Sequence, residues 1–205
     1  MRLALIAAAI VSLAACNNAV AVPPAAATEA AHPEAAAHEE VAIFAGGCFW
    51  CIEAELEEVP GVRTVISGYT GGTTPDPTYK RMGDHAEAVE VIYDPAKVTY
   101  PQLLEVFWSN IDPTDEGGQF YDRGSQYRTA IYVLDETQAN AARASLEANA
   151  KRLKQPIATA VLPATEFYPA EDYHQDYYLK EPGRYEAYKK ASGREKTLKE
   201  VWQGD

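Results

Sequence analysis

From residue 41 onward the apolar positions fall into short runs whose period switches between that of a strand and that of a helix. Residues 41–45, Val-Ala-Ile-Phe-Ala, form an unbroken apolar run that Gly46-Gly47 closes. Residues 50–59 then carry Glu, Ala and Leu at helical spacing until Pro60-Gly61 stops them. Strand, tight glycine turn and helix are therefore expected. The β-branched stretches 62–69 and 86–93 predict two further strands, separated by a glycine- and proline-rich loop at 70–77. Residues 100–111 place Leu103, Leu104, Phe107, Trp108 and Ile111 on one side of a helix, with Pro101 in its first turn. Residues 112–126 have no apolar period and read as a long loop of functional type. A strand at 128–134, an alanine-rich helix at 136–153, a last short strand at 158–162, a tyrosine-dense loop at 167–178 and a closing helix at 184–191 complete the reading. Strands and helices interleave without a dinucleotide-binding glycine pattern, and no helix joins 62–69 to 86–93. The expected fold is α+β, a two-layer sandwich of helices on a mixed β-sheet in a single catalytic domain.

Before residue 41 the pattern is of another kind. Residues 1–15 begin with one basic side chain, Arg2, and continue as an apolar, small-residue run ending Leu13-Ala14-Ala15, followed by Cys16. This is the order of a secretory signal, too short for a membrane span. Leu-Ala-Ala-Cys further reads as a bacterial lipobox, in which Cys16 becomes the lipidated first residue and acyl chains hold the protein to a membrane. Residues 16–40, mostly Ala, Pro, Glu and His, lack large aromatics and any core-building period, so they read as a low-complexity tether. The expectation is an exported protein anchored on the periplasmic or outer face of a bacterial membrane.

Charge narrows the partners. The 205-residue chain carries −12, and loss of residues 1–15 removes only the positive charge of Arg2. A chain so acidic is a poor partner for nucleic acid or anionic headgroups. Residues 41–205 suffice for one core and give no reason to invoke two.

The domain has two cysteines, Cys48 and Cys51, at the turn where strand passes to helix. In an exported protein a pair so closely spaced points to redox chemistry sooner than to a structural staple, because the loop it closes constrains the unfolded chain little. A thiol with a pKa of ~8.5 is only about 3% thiolate at pH 7, so amide N–H groups at a helix start, which favour the thiolate, are expected to activate Cys48. Positions i and i+3 of a first turn put both sulfurs on one side, within disulfide reach.

Gly-Cys-Phe-Trp-Cys at 47–51 resembles the active-site segment of the A class of peptide methionine sulfoxide reductases. The resemblance runs on through Gly-Tyr-Thr-Gly-Gly at 68–72, His-Ala-Glu-Ala-Val at 85–89 with Tyr-Asp-Pro at 93–95, Asp-Arg-Gly-Ser-Gln-Tyr-Arg at 122–128 and Ala-Glu-Asp-Tyr-His-Gln at 170–175. It implies an α+β sandwich, specificity for the S epimer of the sulfoxide in oxidised peptides and proteins, and recycling by a thioredoxin-like reductant. No cofactor or metal is called for. It also implies roles: Cys48 as nucleophile and Glu87 as acid, Tyr69 and Tyr127 as donors to the sulfoxide oxygen, Phe49 and Trp50 as the apolar wall for the S-methyl group, and Asp122 and His174 as handles for the substrate main chain.

Simple chemistry agrees with several of these assignments. A sulfoxide oxygen must accept a proton as a thiolate attacks the sulfur, and a carboxyl group at its usual pKa of ~4.3 would be only about 0.2% protonated at pH 7. Strand alternation sets Glu87 on one face with Val89, Val91 and Tyr93, where burial raises its pKa, and turns Glu90 to the other. Phenols donate hydrogen bonds without charge, although with 13 tyrosines in the chain only their neighbours single out Tyr69 and Tyr127. Many relatives carry glycine where Cys51 stands and place resolving cysteines near the C-terminus, but 183–205 contains none. Cys51 is thus the domain thiol able to convert a Cys48 sulfenic acid to a disulfide. A tethered thiol-disulfide oxidoreductase shares the C-x-x-C signature but has no use for Glu87. A surface-binding lipoprotein would show no turnover, and a zinc site would find only His85 and His174 beside the two thiols.

Overall fold

The structure is a computed structural model that describes residues 33–203. Cys16 and the expected signal segment lie outside the described residues. Strand β1 (Glu40–Gly46) leads into helix α1 (Phe49–Glu57), followed by β2 (Val62–Thr70), β3 (Ala86–Tyr93), helix α2 (Tyr100–Ser109), the two-residue strands β4 (Gly118–Gln119) and β5 (Asp122–Arg123), and a single 3₁₀ turn (Ser125–Tyr127). Then come β6 (Thr129–Val133), α3 (Glu136–Leu153), β7 (Ala160–Pro163), β8 (Tyr168–Pro169), and the helices α4 (Tyr177–Lys180), α5 (Pro182–Ala191) and α6 (Arg194–Gln203).

Six strands make one sheet in the order β7-β6-β1-β3-β2-β8, in which β6 and β7 run parallel and every other neighbour pair is antiparallel. The sheet is mixed, and the α+β expectation holds. Alternation along β3 decides where the core sits: Val89, Val91 and Tyr93 face α1 and α2 and pack with Ile52, Leu56, Leu103 and Phe107, while Ala86 and Ala88 face the other way with Ala130 and Tyr132. Both faces of β3 are covered, so its eight residues are all buried.

Local signals set the helix starts. Asp135 caps α3 by accepting from the Gln138 amide at 2.8 Å, and the Gln102 side chain accepts from the Thr99 amide at 2.8 Å ahead of α2. Two endings differ from the sequence reading. Strand 158–162 is not the last, because β8 adds a two-residue edge to β2, and α5 does not close the domain, because α6 follows it. The end of the expected tether is tied back, with Arg63 bonding the Glu39 carboxylate and the Glu34 carbonyl, each at 2.9 Å.

Candidate active site

Gly46 and Gly47 bring the end of β1 down against α1. At Gly47 φ is +82°, and an added Cβ would lie 2.5 Å from Cβ of Gln119, so this turn needs glycine on both counts. The turn delivers Cys48 as the N-cap of α1. The first amides of a helix have no partner within it, and the Phe49 N–H donates at 3.0 Å to a carboxylate oxygen of Glu87 on β3. A long-range bond thus caps the helix and seats the acid beside the nucleophile.

Burial pushes the Glu87 carboxyl up to about 8, against the Phe49 amide bond, which favours the charged form. At neutral pH it is mostly protonated, as the proton-donor role requires. The thiols behave differently from the sequence expectation. Burial pushes Cys48 well up despite its place at the helix start, whereas a hydrogen bond from Cys48 draws Cys51 down to about 7, helped by the charges of Arg194 and Lys189. The physical reason is that the helix-start amide goes to Glu87 and the two sulfurs share one proton, so the first charge of the reduced pair rests on Cys51.

Aromatic rings surround this centre. Phe49 lies with its ring centroid 6.0 Å from Tyr69 and 5.0 Å from His174, and Trp50 stacks on Tyr177 at 3.9 Å and 11°. His174 is buried in its loop and accepts the indole N–H of Trp50 through Nδ1 at 3.2 Å. Desolvation lowers it to about 4, so it is neutral, with its proton on Nε2. It reaches the site through Trp50. Tyr69 is fully buried and its hydroxyl donates to Glu171 at 2.7 Å, so its proton is committed in this state. Tyr127 is half-buried and feels the charges of Glu87 and Cys48. Asp122 on β5 accepts from the hydroxyl of Tyr188, and burial raises its pKa. Cys48, Cys51, Glu87, Tyr127, Phe49, Trp50 and Asp122 therefore converge on one end of α1, with Tyr69 and His174 behind the aromatic wall.

Sequence reasoning missed Tyr79, Glu171, Tyr177 and Tyr188. Glu171 stands in the Ala-Glu-Asp-Tyr-His-Gln motif and was findable, since it holds Tyr69 and also accepts from the Tyr79 amide at 3.1 Å. The other three are tyrosines in a chain full of them, and only folding distinguishes them.

Helix α1 also carries Glu53, fully buried and pushed up to about 8, mainly by desolvation, with Glu57 and Asp176 adding to it. The folded state holds this proton more tightly than the unfolded chain does, so its stabilising effect is present below about pH 4.3 and is lost as pH rises through about 8. Glu53→Gln is expected to flatten that loss, giving a variant about 1–3 kcal/mol more stable relative to wild type at about pH 8.5 than at about pH 5. Parallel stability curves across that range in denaturant titrations would rule this out.

The model of the family described as peptide methionine sulfoxide reductase matches residues 40–205. A relative from Listeria innocua named peptide methionine sulfoxide reductase MsrA is 48% identical over 172 residues, spanning 80% of this chain and 97% of its own. Methionine sulfoxide reductase A of Corynebacterium diphtheriae superposes with a TM-score of 0.68 at 38% identity, over 72% of this chain and 77% of that one. Mxr1 from Saccharomyces cerevisiae in reduced form gives 0.69 at 28% identity, over 73% and 90%. Identity at that level across nearly the whole length of a relative, together with the family match, places the chain: it belongs to the peptide methionine sulfoxide reductase family, oxidoreductases that work through thiol chemistry.

Proposed function

We propose that this protein reduces the S epimer of methionine sulfoxide in peptides and proteins to methionine, through a Cys48 sulfenic acid and a Cys48–Cys51 disulfide that a thioredoxin-like donor recycles. The observation that carries the reading is the Glu87 carboxyl, buried and held 3.0 Å from the amide next to Cys48. A simple disulfide exchanger has no need of such an acid.

The cycle begins with the Cys48 S–H bonded to Cys51. As the sulfoxide sulfur approaches, Cys51 takes that proton and Cys48 attacks as thiolate, while Glu87 protonates the oxygen. Tyr127 adds a neutral donor to that oxygen, joined by Tyr69 where its bond to Glu171 is released. Phe49 and Trp50 offer the S-methyl group an apolar, aromatic flank, His174 holds the Trp50 indole from behind, and Asp122 borders the substrate main chain. Oxygen passes to Cys48, methionine leaves, and Cys51 attacks the sulfenic sulfur with loss of water. The same reading carries the lipid anchor at Cys16 and a place on an exported membrane face.

Separate R and S epimers of a methionine sulfoxide peptide, incubated with the purified chain and dithiothreitol, test the activity; methionine from the S form alone is expected. Cys51→Ser is expected to yield about one methionine per enzyme, more slowly than wild type because its base is gone, and then to stop when thioredoxin is the donor. Undiminished thioredoxin-driven turnover in that variant would remove Cys51 from the cycle. Cys16→Ala is the matching test of the anchor, read as release from the membrane fraction.

A further inference from the structure

We propose that in recycling the donor thiolate attacks Sγ of Cys48, and that Cys51 is the sulfur released, received by a cationic lobe that α5 and α6 fold against it. The inference rests on the reading of Cys48 and Cys51 as the redox pair.

Access is unequal. Cys48 is 7% exposed at the start of α1, whereas Cys51, one turn further in, is 1% exposed; both sit in a small cluster with Ala54 and Tyr185, and the Tyr185 hydroxyl is hydrogen-bonded to Cys51. Thiolate attack on a disulfide runs in line with the bond that breaks, so the donor must reach the attacked sulfur from the side away from its partner. Of the two sulfurs Cys48 keeps the larger exposure for such an approach, and Cys51 is almost fully enclosed.

Charge favours the same order. Arg194, at the start of α6, is 3% exposed. It donates to the Asn110 carbonyl, sits 4.8 Å above the Phe120 ring and leaves its Nε without a partner. Lys189 of α5 pairs with Glu55 at 2.9 Å. In a chain of net charge −12 these two cations act on Cys51, and both favour its thiolate. The hydrogen bond from the Cys48 thiol disappears once Cys48 carries the donor, but the two cations remain. The sulfur whose thiolate is better stabilised leaves faster.

In the step itself the donor sulfur bonds to Cys48 Sγ, the Cys48–Cys51 bond breaks and its electron pair leaves on Cys51. A second donor thiol then attacks the donor's own sulfur, expelling Cys48 as thiolate. The donor ends as a disulfide and the protein gains two electrons.

The test needs no sulfoxide, so it reads independently of the proposed activity. The full chain is oxidised with one equivalent of diamide and its disulfide verified by mass. It is then mixed with a thioredoxin in which the second active-site cysteine is serine, quenched in acid, alkylated and fragmented. Donor on Cys48 with alkylated Cys51 is the expected product; donor chiefly on Cys51 overturns the proposal. Should thioredoxin give no adduct, excess glutathione is the second probe, and an intact disulfide with both overturns it as well. Arg194→Met is expected to slow thioredoxin-driven reduction of the preformed disulfide by roughly three- to tenfold and to shift the ultraviolet titration of the reduced pair to higher pH. If that variant does not fold, Lys189→Gln is read in the same way, with a smaller shift. Unchanged reduction rate and titration would overturn the role of the lobe.

Discussion

Replacing Cys48 with serine is expected to abolish sulfoxide reduction, with no methionine formed even in a single turnover. The cause lies in the oxygen transfer as much as in the nucleophile. A serine hydroxyl is not ionised near neutral pH, and its oxygen has no counterpart of the sulfenic acid to form. The neighbouring Cys51 does not replace it, because it is 1% exposed and packed beneath Tyr185. The fold should tolerate the change, since Cys48 makes no side-chain cap bond to α1. The measurement is methionine release from a sulfoxide peptide with excess dithiothreitol. More than a tenth of wild-type activity would displace Cys48 as the nucleophile.

Glu87→Gln is expected to slow the reductive step by roughly 10² to 10⁴, the usual contribution of a positioned proton donor. The glutamine still offers the Phe49 amide an acceptor, so α1 keeps its cap and the loss falls on proton transfer. The sign with pH follows from the raised carboxyl. Glu87 is the acid form below about 8 and loses that proton above it, so the wild-type single-turnover rate should decline as pH rises through about 8, and the glutamine variant should lack that limb. Glu90 lies on the same strand with the opposite parity, and Glu90→Gln should change the reductive step little. Equal losses from the two substitutions, or a glutamine variant that keeps the alkaline limb, would count against proton donation by Glu87.

Much of the frame could be read from period alone where the period was long. The helix at 136–153 has the bounds expected of it, and β3 runs over 86–93 as the β-branched pattern required. Helix α6 was missed because half of 194–203 is charged, with Leu198, Val201 and Trp202 too few to announce a buried face. Two-residue β8 is held by its pairing with Gly68 and Tyr69, a contact without local period. Within the site, motif residues could be named in advance, but the state of the thiols could not. A helix start favours a thiolate in general; here burial and the partner sulfur on α1 outweigh it, and the burial, to which Tyr185 of α5 contributes, has no local signature.

The stacking of Trp50 on Tyr177 has an optical consequence. The chain has three tryptophans, and Trp108 and Trp202 are bonded elsewhere, to Ser145 and to the Ile111 carbonyl. Trp50 alone stands between the two cysteines in sequence, with its ring against a phenol and its N–H on a neutral imidazole. A disulfide closed across Phe49-Trp50 replaces a hydrogen-bonded thiol pair next to the indole and is expected to change its emission. Its fluorescence is therefore a label the protein already carries, able to follow each passage between dithiol and disulfide in real time.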